Sequence, residues 1–192
     1  MRRGRIGVFS GSSIGNRRAY AQAAQQVGRC IAGMDWSLVC GGSRIGLTGL
    51  VADAVLAGGG EVFGVIPRSL VNREVAHPCL TSLLVVDSIE ERKQVIDRWS
   101  DAFLALPGSF GTCEELLDVV TKAQLGMHTK PCGLLNTAGF YDPLILQINR
   151  AISDGFLKPA YRNLLVVDSN PESLLESLTN QKVRVTATAA AR

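Results

Sequence analysis

The sequence predicts an α/β protein: a Rossmann-like doubly wound parallel sheet of about seven strands, with helices on both faces. Three observations predict it. Short, continuously apolar runs recur along the 192 residues, as strands buried on both faces require. Helix-patterned stretches alternate with these runs, and strands that alternate with helices pair in parallel through right-handed crossovers. Glycine-bearing loops follow several strands, at the edge where such sheets bind ligands.

Each element has a local reason. Arg5 to Ser10 is a first strand, and Gly11 to Asn16 a glycine and hydroxyl loop. Arg17 to Ala32 carries Ala, Gln and Val at helical spacing. Trp36 to Cys40 is a second strand ended by Gly41-Gly42, and Leu47 to Ala57 a helix closed by three glycines. Glu61 to Ile66 is a third strand, stopped by Pro67. Arg68 to Leu80 has no clear period and reads as a surface loop with a helical turn. Ser82 to Val86 is the fourth strand. Ser88 to Trp99 is a helix, with Ser88 its N-cap and Glu91 the capping-box partner. Ala102 to Leu106 is the fifth strand and Thr112 to Leu125 the next helix. Cys132 to Leu135, the helix Asp142 to Ser153, Leu164 to Val167 and the helix Pro171 to Leu178 complete the alternation. Residues 1–181 are expected to form a single nucleotide-binding domain, and 182–192, rich in Thr and Ala, a frayed tail.

Bulk properties narrow the function. The net charge of +3 is mild and its basic residues are scattered, so no nucleic-acid surface is expected. No apolar run approaches the roughly 18 residues of a membrane span. Met1-Arg2-Arg3-Gly4 runs into a strand-like segment without a signal-peptide core. Five cysteines, without a Cys-x-x-Cys spacing, suggest reduced thiols in a cytoplasmic protein. His77 and His128 lack metal-ligand spacing and read as ordinary loop or packing residues, so no metal is expected. The loop 11–15 lacks the dinucleotide glycine fingerprint, which argues against NAD.

The chemistry concentrates around Leu106-Pro107-Gly108-Ser109-Phe110-Gly111-Thr112-Cys113-Glu114-Glu115. It reads as strand, glycine turn and helix start, which favours an anion such as phosphate. Thr112-x-x-Glu115 taken alone is a capping box. Cys113 at a helix start is a candidate nucleophile only in the company of a base, and none accompanies it in the motif. Helices that follow parallel strands start at the same sheet edge, so Arg92, Glu115 and the loops 11–15, 41–46 and 107–111 are expected to converge there.

The stretch resembles the Pro-Gly-Gly-x-Gly-Thr-x-x-Glu signature of the LOG ("Lonely Guy") family. These are cytokinin riboside 5'-monophosphate phosphoribohydrolases, often mislabelled lysine decarboxylases. Pro107, Gly108, Gly111, Thr112 and Glu115 match, and Ser109 departs from the family glycine. Glu91-Arg92-Lys93, Gly41-Gly42-Ser43-Arg44-Ile45-Gly46-Leu47 and Ala123-Gln124-Leu125-Gly126-Met127-His128 fit further family elements. The resemblance implies hydrolysis of the N-glycosidic bond of a nucleoside 5'-monophosphate, giving free base and ribose 5-phosphate without a cofactor. It implies Arg92 and Glu115 as catalytic residues. Ser12, Gly42, Ser43, Gly46, Lys93, Gly108, Ser109, Gly111 and Thr112 are implied to bind substrate and its phosphate. Lysine decarboxylation needs a pyridoxal-phosphate site, which no pattern here supports. Two positions depart further: Ile89-Glu90 stands for the family Met-His, and Lys122 for a Trp. They open the choice of base. A non-catalytic nucleotide or molybdenum-cofactor carrier of the same general fold is the alternative. The helix 112–125 is apolar nearly all round, from Leu116 and Leu117 to Leu125, and so suits a homodimer of the kind family members form.

Overall fold

The computed structural model describes residues 3–71 and 76–180. Seven strands form one parallel sheet: β1 (Arg5–Phe9), β2 (Ser37–Cys40), β3 (Val62–Pro67), β4 (Ser82–Val86), β5 (Ala102–Ala105), β6 (Cys132–Leu135) and β7 (Leu165–Asp168). Their order is β4-β3-β2-β1-β5-β6-β7. The chain winds outward from β1 in one direction, then restarts at β5 on its other side. That makes the carboxyl ends of β1 and β5 a topological switch point, where open sheets leave a crevice.

Strand side chains alternate between two apolar layers. Ile6 and Val8 enter a core with α1 (Arg18–Gly33), α2 (Gly46–Ala57) and α6 (Pro171–Asn180). Phe9 enters the opposite core with α3 (Ile89–Trp99), α4 (Phe110–Gln124) and α5 (Asp142–Ser153). The central strands are buried on both faces, which explains their unbroken apolar runs. Phe103, fully buried in β5, stacks on Phe9 at 5.8 Å.

The expected alternation is the observed one, with shifts at the ends. Ser88 caps α3: its hydroxyl accepts the Glu91 N–H at 3.0 Å. Glu91 accepts the Asp87 N–H at 2.9 Å, one residue before the expected capping-box partner. Pro67 is the last residue of β3, paired with Val86, and a 3-10 turn follows it at Arg68–Leu70. The rest of the expected loop 68–80 lies partly outside the described residues, as does the expected tail at 182–192. Among the described residues no helix is long and apolar enough to cross a membrane.

The helix after β5 begins at Phe110, two residues before the expected Thr112. Ser109 is its N-cap by backbone, without a side-chain cap bond. Thr112 therefore caps nothing. It is buried, with its hydroxyl packed against Gly108, and Glu115 sits beyond the first turn. A buried side chain and an already formed helical turn displace the capping-box reading.

Candidate active site

Three loops meet at the switch point. The Gly11 N–H donates to the Pro107 carbonyl at 3.1 Å, and the Leu47 N–H donates to the Gly11 carbonyl at 2.9 Å. The loops after β1, β2 and β5 are thereby sewn together. Gly46 makes the seam possible: its φ is +66°, and a Cβ there would lie 2.2 Å from the Ser12 carbonyl carbon. Only glycine takes that conformation at that approach without strain.

Beside the seam lies a cavity of about 250 Å³, lined by Ser12, Gly108 and Ser109 together with Ile14, Tyr20 and Phe140. Ser109 is exposed at the start of α4 with φ −100°, a conformation open to any residue. Its replacement of the family glycine therefore imposes no backbone strain. Gly111 is also exposed, and a Cβ there would meet nothing within 4 Å.

Arg92 reaches the same edge from α3. Its Nε donates to the Val65 carbonyl at 3.2 Å, and its Nη2 lies 3.2 Å from Glu115 Oε1. The two side chains are 17% and 12% exposed. An ion pair this far from water is held by geometry, and removing one partner strands the other. Gly41 gives the guanidinium room, since a Cβ there would come within 2.5 Å of Nη2.

The other expected binding residues divide. Gly42 accepts the His77 N–H at 2.9 Å, and buried Ser43 accepts the Ile45 N–H at 3.2 Å. Both shape their loop from within. Lys93 reaches across to α4. Its ammonium pairs with Glu114 and lies 3.9 Å from Asp118. Its pKa is raised, first by the Glu114 hydrogen bond.

Two supports escaped sequence reasoning. His77 is buried; its Nδ1 accepts the Cys79 N–H at 3.2 Å, so Nε2 carries the proton and donates to Asp53 at 3.0 Å. With its amide on Gly42, it braces the loop 41–46. Tyr141 donates its hydroxyl to the Leu106 carbonyl at 2.6 Å, fixing the strand end before the signature, and burial raises its pKa. Neither residue carries a local motif; the partners are distant in sequence. Among the described residues no group of three or more His, Cys, Asp or Glu is placed to hold a metal ion.

The family described as "Possible lysine decarboxylase" matches residues 48–178. Cytokinin riboside 5'-monophosphate phosphoribohydrolase LOG2 of Arabidopsis thaliana is 45% identical over 174 residues, covering 91% of this chain and 82% of that protein. The chain belongs to the LOG family. A second LOG relative, "Probable cytokinin riboside 5'-monophosphate phosphoribohydrolase LOGL2" of Oryza sativa subsp. japonica, is 44% identical over 174 residues. That alignment covers 91% of this chain and 71% of the rice protein. Among solved structures, the molybdenum cofactor binding protein of Rippkaea orientalis superposes with a TM-score of 0.69 at 23% identity, covering 92% of this chain and 95% of that one. The molybdenum cofactor carrier protein of Chlamydomonas reinhardtii gives 0.68 at 20% identity, over 94% and 100%. At these identities the likeness concerns the fold alone.

Proposed function

We propose that this LOG-family protein hydrolyses the N-glycosidic bond of a nucleoside 5'-monophosphate, a cytokinin riboside monophosphate or an AMP-like nucleotide. The products are free base and ribose 5-phosphate. The observation that carries the reading is the largely buried Arg92–Glu115 pair at the carboxyl edge of the sheet, whose seam also borders a cavity.

Cleavage builds positive, oxocarbenium-like charge on the ribose, and a carboxylate beside it lowers that barrier. Glu115 supplies the carboxylate and orients the attacking water. Arg92 balances and aims it, anchored by the Val65 carbonyl. The 5'-phosphate is received at the start of α4, where Ser109 and Gly111 are exposed, with Ser12 across the cavity. Gly108, Thr112, Gly42, Ser43 and Gly46 hold the loops in shape around it. Phosphate binding remote from the reacting bond then aligns that bond for attack.

The same reading includes a homodimer in the cytoplasm. On the α3/α4/α5 side of the sheet, Phe110 is 95% exposed, and Leu117, Leu125 and Leu146 are also open. An apolar face of this kind suits a second copy of the chain. All five cysteines are free thiols, in keeping with a reducing compartment.

The test is base release from a panel of nucleoside 5'-monophosphates, including AMP and isopentenyladenosine monophosphate, with Glu115→Gln as control. Wild type is expected to release base, and the variant to lose about 10³-fold or more in kcat. A nucleotide that binds without turnover overturns the hydrolase and favours a carrier.

A further inference from the structure

Two neighbouring residues of α3, Arg92 and Lys93, face two neighbouring residues of α4, Glu115 and Glu114. Arg92 meets Glu115 inside the protein, and Lys93 meets Glu114 toward solvent. The outer contact continues as a chain of alternating charge. Lys93 lies 3.9 Å from Asp118, Asp118 2.9 Å from Lys122, Lys122 3.3 Å from Asp97, and Asp97 3.0 Å from Lys130. Lys130 also donates to the Asp97 backbone carbonyl. Lys93 and Asp97 are four apart on α3; Glu114, Asp118 and Lys122 are four apart on α4. Each set is a stripe on one helix face, and the two stripes oppose each other.

Apart from Glu114, these side chains are only 22–28% exposed. They are therefore less screened than ordinary surface pairs, whose worth is small. Burial acts to raise the Asp97 carboxyl, yet Lys130 and Lys122 overcome it and hold the pKa below the ordinary value. A small cavity of about 10 Å³ is lined by Lys93, Asp97, Asp118 and Glu115 together. The ladder thus shares a wall with Glu115.

We propose that this ladder sets the Arg92–Glu115 contact, and that Lys93, Asp97 and Lys122 are positioning residues acting through that pair. The inference rests on the hydrolase reading above. Arg92 and Glu115 stand on separate helices, so a shift of one helix opens their contact. A misplacement of about 1 Å can cost about 10²-fold in rate.

Lys93→Met removes the charge and keeps most of the stem; Lys93→Arg keeps the charge; Glu114→Gln removes the partner. In Lys93→Met, kcat for base release is expected to fall about tenfold while KM stays within about twofold. Lys93→Arg restores most of the rate, Glu114→Gln lowers kcat in the same sense, and the double variant Lys93→Met/Glu114→Gln is no slower than Lys93→Met. A crystal structure of Lys93→Met is expected to show Arg92 and Glu115 parted. A KM that rises while kcat holds, with Glu114→Gln unaffected, overturns the proposal and makes Lys93 a substrate contact. Unchanged kinetics also overturn it. A wild-type protein that releases no base from any nucleotide is a failure of the hydrolase reading instead. The crystal structure then decides, and a pair still in contact in Lys93→Met overturns the ladder.

Discussion

The turns 41–46 and 107–111 both join a strand to a helix at the same sheet edge, and both are glycine-bearing. They use glycine for opposite reasons. In 41–46, Gly42 and Gly46 have φ of +75° and +66°, and Gly41 abuts the Arg92 guanidinium. This turn is built inward. In 107–111, Ser109 holds an ordinary φ and is exposed, and Gly111 has open space in front of it. Gly108 in that turn is packed inward, on the Thr112 hydroxyl; Ser109 and Gly111 face outward. A glycine motif therefore marks positive φ at Gly42 and Gly46, close packing at Gly108 and open space at Gly111. A side chain at Gly42 or Gly46 would be strained, whereas Ser109 in the second turn is not.

The comparison can be broken at three positions. Gly46→Ala carries the largest expected effect, a loss of about 3 kcal/mol or more from positive-φ strain and backbone overlap. Thermal unfolding reads it; an unchanged Tm means the seam is not rigid. Gly41→Ala is expected next. The clash is with the Arg92 tip that pairs with Glu115, so stability falls by less than in Gly46→Ala while the displaced Arg92 lowers kcat by about 10²-fold. Paired unfolding and base-release measurements separate the two; equal kcat in variant and wild type removes Arg92 from the mechanism. Ser109→Gly is the smallest. Added freedom of the unfolded chain costs about 0.5 kcal/mol, and kcat/KM moves by less than about threefold. A much larger rise in KM instead makes the Ser109 hydroxyl a phosphate contact.

The alternation of apolar strand runs and helices was readable because each run reports its own burial. β4, β6 and α5 have the expected limits. The meeting of Arg92 and Glu115 was readable because helices that follow parallel strands start at one edge. The start of α4 lies two residues before the expected Thr112, which turns inward onto Gly108. The pairing of Lys93 was not readable because its partners lie on another helix. Lys122, which stands where the family has Trp, is held in the ladder by Asp97 and Asp118.

By itself the sequence determined the fold class, the family and the convergence of Arg92 and Glu115 at one sheet edge. These follow from periodicity and local motifs, which act over a few residues along the chain. Tertiary structure alone decided that Gly41 makes room for Arg92, that His77 braces the glycine loop, and that Lys93 belongs to Glu114. Those contacts join residues 21 to 51 positions apart along the chain. Only the packing of separate elements brings such side chains within a few ångströms, and no local pattern encodes that distance.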